Sequence, residues 1–89
     1  MNLETKLTLP PNVVSRSVGD ETVLLDTASG LYFGLDSVGQ RIWQAVGDGR
    51  NLGETVDIIV AEYDVDRKQA TSDVLQFAGT LVERGLLAE

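Results

Sequence analysis

The run Gly30-Leu-Tyr-Phe-Gly-Leu-Asp-Ser-Val-Gly-Gln-Arg-Ile-Trp43 constrains this chain more than any other stretch. Leu31 to Leu35 is aromatic and aliphatic and follows the turn-forming pair Ser29-Gly30, which predicts a β-strand. Asp36 and Ser37 are both favoured helix N-caps. Behind them Val38, Ile42 and Val46 recur every four residues, which predicts a helix with one apolar face. The chain must therefore pass from strand to helix within one or two residues. Sheet is expected before this point and helix after it.

The flanking sequence agrees. Pro10-Pro11 lack the backbone N–H a central strand needs and mark an extended entry. Val13, Val14, Arg16 and Val18 suggest a first strand, and Gly19-Asp20 a turn. Thr22 to Asp26 reads as a second strand, and Thr27-Ala-Ser-Gly30 as the hairpin loop that leads into the third, antiparallel to the second. Downstream, Gly47-Asp-Gly49 stops the first helix. Asn51 with Glu54 three residues on predicts a capping box for a second helix, whose apolar face is Val56, Ile59, Val60 and Tyr63. Asp66 caps a third, about Arg67 to Glu83, closed by Gly85 with Leu86-Leu87 folding back onto it. The fold class expected is α+β, a winged helix-turn-helix-like arrangement of a three-stranded antiparallel sheet followed by three helices. Residues 1–89 fit one domain, and Met1 to Thr8, which shows no period, is expected to be a flexible end.

Two elements leave a choice open. By strict alternation Leu31, Phe33 and Leu35 share one face of the third strand, with Tyr32 and Gly34 on the other. In the third helix, at about 100° per residue, Ala70, Val74, Phe77 and Leu81 form one stripe and Thr71, Leu75, Ala78 and Val82 a second. That apolar arc is wider than one seam against a core requires.

Composition removes several function classes. The chain has no cysteine and no histidine, so disulfides, thiolate sites and the commonest metal ligand and general base are unavailable. Asp64, Asp66 and Asp73 read as a solvated turn, a cap and a helix flank, and Asp64-Val-Asp66 lacks the glycine and terminal glutamate of a calcium loop. Gly47-Asp-Gly49 follows a helix, so it is not a phosphate loop. Trp43 and Tyr63 are expected in the core. No catalytic residue, cofactor or metal site is expected. Seven basic residues against fourteen acidic ones give a net charge of −7. The basic residues are scattered, which argues against a nucleic-acid binder despite the winged-helix element order. Nothing resembles a signal peptide or a membrane span, so the cytoplasm is the expected location.

Gly30-Leu-Tyr-Phe-Gly-Leu-Asp, then Gly39 and Ile42-Trp43, then Tyr63-Asp-Val-Asp, Asp73-Val74, Phe77, Leu81 and Arg84-Gly-Leu-Leu resemble the PqqD-like proteins over roughly Leu9 to Leu87. The resemblance implies a recognition element for the leader of a ribosomally made, post-translationally modified precursor peptide. The leader would add as a strand beside the third strand and send side chains into a groove against the third helix. Carried over by position, Leu31, Tyr32, Phe33 and Gly34 form the docking edge. Val74, Phe77, Ala78 and Leu81 line the groove, with Asp73 at its rim. The family pattern also favours Tyr32 and Leu35 as an inward pair, which alternation forbids unless Gly34 is a bulge. Within the family the chain looks most like the stand-alone module of split lasso-peptide systems, on the lead-in Leu9-Pro-Pro-Asn-Val-Val-Ser-Arg. The implied partners are the leader, a leader peptidase of the cysteine-protease type and an ATP-dependent cyclase. The alternative is delivery of a peptide to a radical enzyme in pyrroloquinoline quinone biosynthesis. The same edge could pair two copies into a homodimer.

Overall fold

A computed structural model describes all residues, 1–89. The elements are β1 (Val13–Val18), β2 (Glu21–Asp26), β3 (Tyr32–Leu35), α1 (Ser37–Gly47), α2 (Leu52–Glu62) and α3 (Arg67–Glu83). The expected α+β order is the observed one. The sheet is antiparallel in the order β1-β2-β3, so β3 and β1 are its two edges.

Each helix start, and the end of α3, has a local cause. Asp36 Oδ1 accepts the Gly39 amide at 2.7 Å, which starts α1 one residue after β3 ends. Asn51 and Glu54 form the reciprocal capping box of α2 at 2.7 and 2.9 Å. Asp66 caps α3 through the Gln69 amide at 2.8 Å. At the far end Gly85 takes a positive φ of 74°, its amide bonds Val82 O, and the Leu86 amide bonds Leu81 O. Those two bonds are a Schellman motif, and they turn Leu86 and Leu87 into the core.

Leu24 and Leu35 of the sheet, Ile42, Trp43 and Val46 of α1, and Leu52, Val56 and Ile59 of α2 meet the buried side of α3 in one cluster. That side of α3 is Ala70, Val74, Ala78 and Leu81, all fully buried. It takes residues from both stripes seen in the sequence. The bidentate pair of Arg41 with Glu62, at 3.0 to 3.1 Å, ties α1 to α2 across the surface. No helix is long and apolar enough to cross a membrane.

The amino-terminal segment, for which the sequence gives the expectation of a flexible end, makes backbone hydrogen bonds to the rest of the fold. Thr8 and Ala88 exchange backbone hydrogen bonds at 2.7 and 3.0 Å, and Leu7 is buried. The Leu52 and Gly53 amides donate to Thr5 O and Leu3 O at 3.0 and 2.7 Å. The first turn of α2 has amide groups with no partner inside the helix, and this segment supplies partners for two of them.

Thr22 is buried on the inner side of the sheet, and its hydroxyl has no hydrogen-bond partner. Thr22→Val keeps the shape and the β-branch while removing the unpaired hydroxyl. It should raise stability by about 1 kcal/mol, read as a higher midpoint in a thermal melt. A lower midpoint would mean that the hydroxyl is satisfied in solution.

Candidate functional site

β3 pairs only with β2, in the register Thr22↔Leu35, Val23↔Gly34, Leu24↔Phe33 and Leu25↔Tyr32. The ladder is regular, so Gly34 is not a bulge. The Asp26 amide bonds Leu31 O at 3.0 Å. In an antiparallel ladder the hydrogen-bonded residues alternate. Counting from Leu31, the residues of β3 that exchange backbone bonds with β2 are Phe33 and Leu35. The N–H and C=O groups of Tyr32 and Gly34 therefore point away from the sheet, along a free edge. A Cβ built on Gly34 would meet nothing within 4 Å.

The same alternation sorts the side chains. Leu35 is buried and Phe33 half-buried, both on the side facing the helices. Tyr32 is 74% exposed on the opposite side, which corrects the inward pairing of Tyr32 with Leu35 that the family pattern favours. Without a bulge, residues three apart in a strand lie on opposite faces. Tyr32 instead joins Val14, Val18, Val23 and Leu25 around Arg16 in a shallow apolar hollow of about 320 Å³ on the outer face. Leu31, just before β3, is 63% exposed.

Across from β3, α3 brings Phe77 and Asp73 to the surface on the flank beside α1. They line an open hollow of about 260 Å³ with Asp36, Val38, Gly39 and Ile42. Gly39 is needed there: a Cβ at that position would sit 3.0 Å from Phe77 Cε2 and 3.2 Å from Asp36 Oδ1. Its absence lets the Phe77 ring lie on the first turn of α1. Asp73 is exposed, and its Oδ1 accepts from Gln69 Nε2 at 2.8 Å. Val74, Ala78 and Leu81 do not line this surface as expected. They are wholly buried, because the packing of α3 on α2 selects which part of its wide apolar arc faces inward. At the carboxyl end of α3 the Arg84 guanidinium lies over the Phe33 ring, 5.3 Å from its centroid.

The structure thus gathers Leu31, Tyr32, Phe33 and Gly34 on one edge, and Asp73 and Phe77 on the facing helix flank. It adds Val38, Gly39 and Arg84, which sequence reasoning did not assign to the site. Gly39 and Arg84 both stand in the motif that carries the family resemblance, and their spatial roles become visible only with Phe77 and Phe33 in place.

The hairpin that presents β3 is fastened by Asp26. Its carboxylate accepts from Asn12 Nδ2 at 2.7 Å, from the Ala28 amide at 2.9 Å and from Ser29 Oγ at 2.9 Å. The Asn12 side chain, then Ser29 and the Ala28 amide, hold its pKa below the ordinary 3.8. Gly30, with φ of 77°, closes the loop through its amide to Asp26 O at 2.7 Å.

Residues 21–87 match the family described as coenzyme PQQ synthesis protein D. Among solved structures, TbiB1 in complex with the TbiA(beta) leader peptide is 44% identical, with 90% of this chain and 93% of that one covered and a TM-score of 0.84. A lasso peptide synthetase B1 complexed with the leader peptide is 27% identical, with 96% and 100% covered and a TM-score of 0.89. A search of curated proteins gives no match.

A carboxylate whose folded pKa is depressed contributes stability above its unfolded pKa and loses it as pH falls through the folded value. Asp26→Asn should therefore cost stability at neutral pH, and the gap between the variant and wild type should narrow as pH falls below 3.8. Urea melts of both proteins between neutral pH and pH 3 check this. A gap that stays constant with pH would mean that the charge on Asp26 does not fasten the hairpin.

Proposed function

This chain belongs to the PqqD family, and we propose that it binds the leader of a ribosomally synthesised precursor peptide as a fourth, antiparallel strand on β3. The observation that carries this reading is the free edge of β3 beside an apolar flank of α3. Tyr32 and Gly34 offer two N–H donors and two C=O acceptors to an incoming strand. Alternate side chains of that strand would then lie toward Phe33 and Phe77 on the inner side and beside Tyr32 on the outer side. Backbone bonds supply affinity and the pockets supply selectivity. Leu31, Tyr32, Phe33, Gly34, Asp73 and Phe77 make the contacts, while Val74, Ala78 and Leu81 form the buried floor beneath Phe77.

β1 also has a free edge, which makes β3 a choice that needs a reason. Its inner side offers Ser15 and Ser17, both exposed, and no aromatic side chain. β1 does expose Val14 and Val18 on the outer face, but the edge at β3 is the one whose own strand carries aromatic side chains, Tyr32 and Phe33, beside its unpaired backbone.

The protein acts without catalysis, as one 89-residue leader-binding domain that hands its peptide to a leader peptidase and an ATP-dependent cyclase in the cytoplasm. Support for leader binding comes from both solved complexes, and support for the lasso-peptide branch from the 27% identical lasso peptide synthetase B1. The family description, coenzyme PQQ synthesis protein D, supports a second reading, in which the chain delivers its peptide to a radical enzyme of that synthesis. The neighbouring genes separate the two.

Phe33→Ala should weaken leader binding by roughly 1–3 kcal/mol. Gly34→Pro should be harsher on binding than on folding, because the N–H it removes lies on the free edge and not in the β2 ladder. Calorimetry with the cognate leader, beside thermal melts, reads both effects. Normal melting together with wild-type affinity in both variants would place the docking site elsewhere.

A further inference from the structure

The geometry points to a carboxylate subsite at Arg84, which fixes the charge pattern and the direction of the bound peptide. This inference rests on strand addition at β3 and adds to it the chemistry of the peptide.

Carboxylates outnumber cations two to one in this chain, with fourteen against seven. Three of the five arginines pair with a carboxylate. Arg41, Arg50 and Arg67 pair with Glu62, Glu54 and Asp57 at 3.0, 3.6 and 2.7 Å. Arg16 and Arg84 pair with no carboxylate: Arg16 lies in the hollow on the outer face of the sheet, whereas Arg84 lies over the Phe33 ring beside the docking edge. Capping α3 does not explain it. Thr80 O accepts from the Arg84 backbone amide, Leu81 O from Leu86 and Leu87, and Val82 O from Gly85. The side chain is not needed for these carbonyls.

The contact with Phe33 leaves the guanidinium N–H donors without a hydrogen-bond partner in the chain, which suits bidentate recognition of a carboxylate. Phe33 is flanked by Tyr32 and Gly34, whose backbone groups face the docking edge. A side chain of the added strand on the inner side at this register therefore meets Arg84. At the other end of the groove the charge is reversed, since Asp36 and Asp73 line the hollow with Phe77.

The eleven residue steps from Asp73 to Arg84 rise about 16 Å along the helix, and Phe33 to Asp36 spans about 10 Å of extended chain. The two ends of the groove are thus about three to five strand residues apart. An antiparallel strand runs from the Asp36 end toward the Leu31 end. The fitting peptide carries an Asp or Glu at the Arg84 register and, on the same face, a neutral or basic residue about four positions earlier.

The test is calorimetry with a synthetic peptide of the leader encoded beside this chain, with each Asp and Glu replaced in turn by its amide. Arg84→Ala should lower affinity about tenfold, the scale of one charge-assisted hydrogen bond. One amide variant should show the same loss on wild type and no further loss on Arg84→Ala. Arg84→Glu should regain affinity for the peptide in which that acid is replaced by Arg. Thermal melts confirm that the variants are folded. Unchanged affinity of Arg84→Ala, equal losses for every amide variant on both proteins, or a bound strand with no acidic residue would each overturn the subsite. If those results come with binding that Gly34→Pro still abolishes, docking at β3 stands and Arg84 alone is wrong. If wild type does not bind the leader, or Gly34→Pro leaves binding intact, docking at β3 fails and the subsite fails with it.

Discussion

β3 bonds to a neighbour on one side only, and the rest of the site follows from that. Phe33 and Leu35 exchange backbone bonds with β2 and hold the strand in place. The N–H and C=O groups of Tyr32 and Gly34 point along the free edge. Unpaired edges are a liability that proteins usually blunt with charge, proline or a bulge. This edge has none of those devices and ends in the N-cap of α1, which sets its length at four residues. One short strand can thus be rigid on its inner side and available on its outer side.

Much of this fold was legible in the sequence because its boundaries are set by side chains acting on their own backbone. Asp36, Asn51 with Glu54, Asp66 and Gly85 each act within a few residues, so their signals are local and strong. The strand-to-helix passage at Leu35-Asp36 was legible for the same reason. The face of β3 was settled by alternation once the ladder proved regular, and the family pattern misplaced Tyr32 because it required a bulge that is absent.

The less legible parts depend on distant partners. Phe77 and Val74 look equally apolar in sequence, yet one borders the groove and the other is core, because α2 decides how α3 is rotated. Thr5 and Thr8 carry no periodic signal, and their order comes from α2 and from Ala88 at the far end of the chain. Arg84 looks like an ordinary basic residue near a helix end until Phe33 is seen beneath it. Gly39 looks like a poor choice for a helix until the Phe77 ring is found against it. In each case the missing information was a contact between residues far apart in sequence.

Amide hydrogen exchange on the protein with and without its cognate leader tests strand addition at β3 most directly. Phe33 and Leu35 should already be protected in the free protein, since their amides belong to the β2 ladder. Tyr32 and Gly34 should exchange freely without leader and become strongly protected with it. Protection that appears instead at Ser15 and Ser17, on the edge of β1, or binding that leaves Tyr32 and Gly34 exchanging freely, would contradict strand addition at β3.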